Sequence, residues 1–129
     1  MKKIMLFILA LCLYTVSDAQ SASDCSQLKN GTFKTVSEGG TTLITRKGSL
    51  QTEVNDEVQF RGEFKIVWTD DCTYTIQPKK IYSKGNLLEI DYEEILTVKI
   101  LEITKSYYLM KATSNKREGV VEGKVYFVK

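Results

Sequence analysis

The chain has no histidine. That absence removes the commonest general base, the commonest metal ligand and every Ser-His-Asp or Cys-His nucleophile at once. Cysteine is scarce: Cys12, Cys25 and Cys72 are the whole complement, and no C-x-x-C spacing points to redox exchange. Like charges form no block and the formal net charge is only +2, so neither nucleic acid nor an anionic lipid surface is implied as a partner. There is no internal repeat and no low-complexity segment. Asn55-Asp56-Glu57 lacks the alternating acidic pattern of a calcium loop. Gly39-Gly40 and Lys47-Gly48 precede no helix start that could cradle a phosphate. Asp70-Asp71 and the Asp91, Glu93, Glu94 group read as solvated turn residues. No catalytic residue, no metal ligand and no cofactor is therefore expected, and the chain reads as a non-enzyme.

One long apolar run exists, Ile4 to Val16, behind Lys2 and Lys3. It is too short to span a bilayer, and Ser17-Asp18-Ala19 supplies the small residues that a signal peptidase reads. Residues 1–19 are read as a signal peptide, with cleavage before Gln20. Acylation at Cys12 is disfavoured because Leu11 precedes it and the apolar run continues beyond. Removing residues 1–19 from the 129 leaves 110 residues, and the loss of two lysines and one aspartate lowers the net charge from +2 to +1. The expected location is periplasmic or extracellular, with no transmembrane helix after cleavage. In that compartment Cys25 and Cys72 are expected to form a disulfide.

What is present is alternation. From Val58 to Trp68, Val58, Phe60, Gly62, Phe64, Ile66 and Trp68 fall on one side and mostly polar residues on the other. A period of two specifies a strand with one buried face. Cys72, Tyr74 and Ile76 alternate likewise after an acidic turn. A three-residue loop, Thr69-Asp70-Asp71, would pair Trp68 with Cys72, keep the apolar residues together and put Asp71 near the left-handed region. Earlier in the chain, Gly31–Val36 opens the domain and Ser37–Gly40 forms a turn. Thr41–Arg46 and Ser49–Val54 form a hairpin around Lys47-Gly48, pairing Thr45 with Leu50 and placing Leu43, Leu50 and Val54 on one face. A turn at Asn55–Glu57 would pair Val54 with Val58 and carry that face into the interior. Later, Pro78 is expected to end or kink its strand at an edge. Leu87–Ile90 reads as a short strand. Ile95–Ile103 reads as a longer one whose phase slips between Ile100 and Leu101, as a bulge produces. Tyr107–Thr113 and Val120–Val128 close the series, with Val121, Gly123, Val125 and Phe127 inward.

The expectation is an all-β domain over residues 31–129, with residues 20–30 leading into it. It would be a single antiparallel up-and-down meander of about eight strands closing as a small barrel, the alternative being a two-sheet sandwich. Phe60, Phe64, Trp68 and Tyr74 are the candidate ligand-binding residues. Thr35, Thr45 and Thr52, if inward, would add polar lining, although threonine is also simply a good strand residue.

Three patterns carry a resemblance: C-x5-G-x-F (Cys25 to Phe33), R-K-G-S-L-Q-x-E (Arg46 to Glu53) and W-x3-C-x-Y-x-I (Trp68 to Ile76). Together they resemble a group of short exported proteins of Bacteroidota bacteria with no assigned activity. More loosely, Gly31-Thr32-Phe33 opening an antiparallel meander is similar to the G-x-W start of lipocalin-like barrels, with Phe33 in place of the tryptophan. That likeness implies a non-enzymatic module for a small apolar or amphipathic ligand. The alternative is a structural or protein-interaction domain of the cell envelope with a filled core. Space enclosed by Phe60, Phe64, Trp68, Tyr74 and Val125 would favour the first, and close packing there the second.

Overall fold

Alternation of inward and outward side chains runs through eight strands in the computed structural model, which describes residues 24–83 and 90–129. They are β1 (Gly31–Ser37), β2 (Gly40–Lys47), β3 (Leu50–Asn55), β4 (Phe60–Asp70), β5 (Thr73–Ile81), β6 (Leu96–Ile103), β7 (Tyr107–Ser114) and β8 (Val121–Phe127). Each strand pairs antiparallel with the next and β8 returns to β1, so the sheet closes as one up-and-down barrel. The sandwich alternative is not realised. The closing seam is short: Phe33 pairs with Phe127 and Lys34 with Tyr126. It is extended by the Val128 N–H donating to the Thr32 carbonyl at 3.1 Å. An eight-stranded barrel has an interior just wide enough to be filled by side chains or to hold one small ligand.

One end of the barrel is plugged. Ser26–Leu28 form a single 3-10 turn, in which the Leu28 N–H donates to the Cys25 carbonyl at 2.9 Å. Leu28 and Cys25 are buried, and Cys25 is bonded to Cys72 in the β4–β5 connection. The expected disulfide is therefore present. Above this plug lie Phe33, Ile66, Tyr74, Val98, Ile100, Tyr108 and Val125, the apolar floor of the barrel.

The strand series matches the alternation, but three registers, β4–β5, β2–β3 and β3–β4, do not. Trp68 pairs with Tyr74 and Asp70 with Thr73, with a bulge between, so the Trp68–Cys72 pairing is corrected. The shift is two residues, so the face is preserved and Phe64, Ile66, Trp68, Tyr74 and Ile76 all point inward. Asp71 is not left-handed; among the described residues the non-glycine with positive φ is Gln59, at 54°.

The second correction inverts a face. In β2 and β3, Leu43 pairs with Val54 and Lys47 with Leu50, rather than Thr45 with Leu50. Leu43, Leu50 and Val54 do share one face, but it is the outer one, and Leu43 is 43% exposed. The fault lies in the β3–β4 loop. It holds Asp56 to Gln59, pairs Asn55 with Phe60 and leaves Val58 exposed in the loop. One more loop residue than the expected Asn55–Glu57 turn reverses which side of β3 meets the interior. Ile44, Arg46, Gln51, Glu53 and Asn55 therefore point inward, while Thr45 and Thr52 point outward.

In the second half, β5 continues through Pro78 to Ile81, with a register shift between the Phe64–Pro78 and Glu63–Lys80 pairs. Its pairing with β6 stops at Ile76–Leu96, so Pro78 lies where β5 has no β6 partner. This is where a residue without an N–H is tolerated. The expected phase slip in β6 is a bulge between Ile100 and Glu102. The strand expected at Leu87–Ile90 lies outside the described residues except for Ile90, which is irregular.

Candidate functional site

Arg46 is the centre of the closed half. The residue is 2% exposed, and its guanidinium stands over two aromatic rings, 4.6 Å from the Phe33 centroid and 4.7 Å from that of Tyr74. Nε donates to Gln51 Oε1 at 2.8 Å and Nη1 to the Leu28 carbonyl at 3.0 Å. Nη2 donates to the Tyr74 and Tyr108 hydroxyls at 2.9 and 2.7 Å. The two phenols are themselves 2.9 Å apart. Burial works against the guanidinium's charge, yet the phenol oxygens of Tyr74 and Tyr108 more than offset it and raise its pKa. Burial raises the Tyr74 phenol well above its ordinary value. This cluster is saturated: it staples β2, β3, β5, β7 and the plug to one another.

The network continues one step toward the open end. Gln51 receives Arg46 on Oε1 and therefore presents its amide nitrogen to Glu53, donating to Oε2 at 2.7 Å. Burial pushes the Glu53 carboxyl above the usual range, while the Gln51 bond and the charge of Arg46 pull the other way. By area Glu53 is only partly shielded, although its carboxyl lies deep among protein atoms. Its neighbours on the same face, Gln51 and Asn55, are buried, so we assign that residual exposure to the barrel lumen. Asn55, the last inward residue of β3, donates to the Gly39 carbonyl and to Thr42 Oγ1. It accepts from the Glu57 N–H, which fixes the β3–β4 loop.

At the open end the inner faces of β5, β6 and β7 are apolar and incompletely covered. One depression of about 270 Å³ is lined by Phe64, Ile76, Pro78 and Leu96, with Glu94 and Arg117 at its edge. A second of about 420 Å³ is lined by Leu96, Met110, Ala112 and Val121, beneath the β7–β8 loop. Leu96 and Arg117 belong to both. Glu94 accepts both Arg117 Nε and Nη2, at 2.8 and 2.9 Å, and Ser114 Oγ at 2.6 Å. The Ser114 and then the Arg117 bonds lower the Glu94 pKa. A wider groove of about 650 Å³ lies around Thr52, Arg61, Glu63 and Tyr82. Those four residues are outward-facing and Phe60 borders the groove only from the start of β4, so we place most of that groove outside the barrel and give it no part in the interior site.

Comparison with family models, curated proteins and solved structures gives no match. The site must be read from its own geometry.

Of the four expected ligand residues, all four point inward but they do not line one space. Tyr74 is consumed in the Arg46 cluster. Trp68 packs on Tyr74, with ring centroids 4.8 Å apart, and Lys29 Nζ covers it at 5.4 Å. Its Nε1 is buried without a hydrogen-bond partner among the described residues. Phe64 lines the smaller mouth depression, and Phe60 lines the wider groove. Glycine at 62 lets them approach: a Cβ there would lie 2.8 Å from Ile81 Cδ1 and 3.0 Å from both phenyl rings. Arg46, Gln51, Glu53, Leu96 and Met110 were not foreseen. Gln51 and Glu53 sit on a strand whose aliphatic residues, Leu50 and Val54, face out, and Arg46 follows Ile44 on the inner face of a strand with an aliphatic residue on each side. Leu96 and Met110 carried a signal, since both hold the inward phase of β6 and β7.

Proposed function

We propose that the protein is an exported, non-enzymatic binding module, lipocalin-like in its use of the barrel, that takes a small amphipathic ligand at the open mouth. The observation that carries this is an asymmetry of the interior. The plugged half is close-packed, with Leu28, Ile66 and Tyr108 at 0–2% exposure, whereas the mouth keeps two adjoining apolar depressions about Leu96. Uncovered apolar surface beside a few fixed polar groups is the usual make-up of a small-molecule site. The signal-like N-terminus and the disulfide support export. The absence of histidine and the saturation of the Arg46 cluster support a non-catalytic role. The filled lower half favours a second reading, a structural or interaction domain of the cell envelope, and the same experiment separates the two.

The test is fluorescence titration with the neutral probe N-phenylnaphthylamine. Saturable enhancement is expected with the wild-type protein, with strong loss in Leu96→Lys and Met110→Lys. Val67→Lys, on the outer face of β4 where Val67 is 42% exposed, should leave it unchanged. No enhancement in the wild type, or enhancement undiminished by both mouth variants, would favour the filled-core reading.

A further inference from the structure

The interior side chains bearing a charge, an amide or a phenol can be counted for spare hydrogen-bonding capacity. Arg46 is engaged through all three nitrogens, Gln51 and Asn55 through both amide ends, and the Tyr74 and Tyr108 hydroxyls through Arg46 and each other. Glu53 differs. Only its Oε2 is held, by Gln51, and the hydrogen bonds among the described residues leave Oε1 unengaged. No Lys or Arg nitrogen among the described residues forms an ion pair with it. Arg46 reaches it only through the Gln51 amide.

Its position is equally specific. Glu53 pairs with Gly62, between Gln51–Phe64 and Asn55–Phe60, so Phe64 stands beside it on the neighbouring strand and also walls the smaller mouth depression. Glu53 thus lies one strand away from the Phe64 wall of the smaller depression, whose other apolar walls are Ile76, Pro78 and Leu96. A carboxylate held in such surroundings with no cation in direct contact is costly to ionise, and a ligand cation offsets that cost.

Resting on the binding role proposed above, we infer that Glu53 is the polar anchor of the mouth site and that its ligand class is an amphiphile with an ammonium head group, paired to Glu53 Oε1 while its apolar tail lies against Phe64, Leu96 and Met110. Anionic amphiphiles are then disfavoured. Protonation of Glu53 competes with the ligand, so binding below its raised pKa releases a proton to solvent and weakens as pH falls. The groups facing Glu53 are Arg46 from β2, the neutral Gln51 and Asn55 from its own strand, and Phe60, Gly62 and Phe64 from β4. Across the lumen stand the phenols of Tyr74 and Tyr108. None of the inward groups packed beside it is another carboxylate.

The experiment is an NMR titration of the carbon-13-labelled protein with octylammonium, octanol and octanoate, observing the Glu53 side-chain carboxyl and the Leu96 and Met110 methyls. Octylammonium should bind about tenfold or more tighter than octanoate near neutral pH and move the Glu53 carboxyl resonance. Glu53→Gln should bring the two affinities within about twofold of each other. The wild-type carboxyl readout stands even where the variant misfolds. Equal binding of octanoate overturns the anchor, as does a Glu53 resonance unmoved while octylammonium saturates Leu96 and Met110. In both cases the mouth site survives. Failure of all three ligands to move Leu96 or Met110 overturns both readings.

Discussion

Arg46 holds a full charge inside the barrel with phenols, an amide and a carbonyl for partners rather than a carboxylate. Two stacked aromatic faces add cation–π attraction of about 2 kcal/mol in a desolvated setting. Replacing it with Met leaves several buried acceptors unpaired, each costing about 1–3 kcal/mol. Arg46→Met should therefore lower stability by about 3 kcal/mol or more in urea unfolding, and Arg46→Lys should recover little because an ammonium cannot fork to four partners. Glu53 predicts a pH effect of defined sign. Its folded pKa is raised, so its contribution is fully present below the ordinary glutamate pKa and is lost as pH rises through the folded value. Glu53→Gln should thus be more stable than wild type at neutral pH, with the gap closing in acid, as read from urea midpoints. Glu94 and Asp70 work oppositely. Their lowered values favour the fold above the ordinary carboxylate range and are lost as pH falls, but Asp70 is solvent-exposed and Glu94 pairs with an exposed Arg117, so both effects are small.

Among the elements, the N-terminal turn depends most on a covalent tie. The Cys25–Cys72 bond spans a sequence separation of 47 and fixes the turn whose Leu28 closes the floor. In the chain-entropy model a loop of that length is worth about 4 kcal/mol, and often less in practice. Reduction, or the double change Cys25→Ser with Cys72→Ser, should lower the urea midpoint and expose Tyr74 and Tyr108 to solvent, readable as a shift in tyrosine absorbance. Gly62 is a second element-level test. Gly62→Ala forces a methyl against Ile81, Phe60 and Phe64 and should cost about 1–3 kcal/mol. Much at this scale was legible in the chain. The period of two over Phe60–Trp68 located β4, and the slip at Leu101 located the β6 bulge. The β2–β3 face was not legible, because both sides of β2 carry an aliphatic residue, Leu43 and Ile44. The deciding feature is a loop ending in left-handed Gln59, which no residue count reveals. Nor does local pattern show that Arg46 meets Tyr74 and Tyr108, 28 and 62 residues away, and so belongs inside.

For the molecule as a whole, the consequence of that inversion is a barrel whose floor is bolted by a polar cluster and whose mouth is left amphipathic. Had Leu43, Leu50 and Val54 faced inward, the lumen would be filled with aliphatic side chains and Glu53 would lie on the surface. The candidate site was therefore only partly legible: Phe64 does line a mouth depression, whereas Trp68 and Tyr74 belong to the floor. The most direct measurement is NMR of the arginine side chains with cross-strand proton contacts. The structure predicts a slowly exchanging Arg46 Nε–H, with contacts from the Arg46 side chain to the Phe33, Tyr74 and Tyr108 rings. Arg61, which is exposed, should exchange freely. An Arg46 Nε–H exchanging as fast as that of Arg61, with Leu43 methyl protons touching the Phe33 or Tyr108 ring instead, would contradict it.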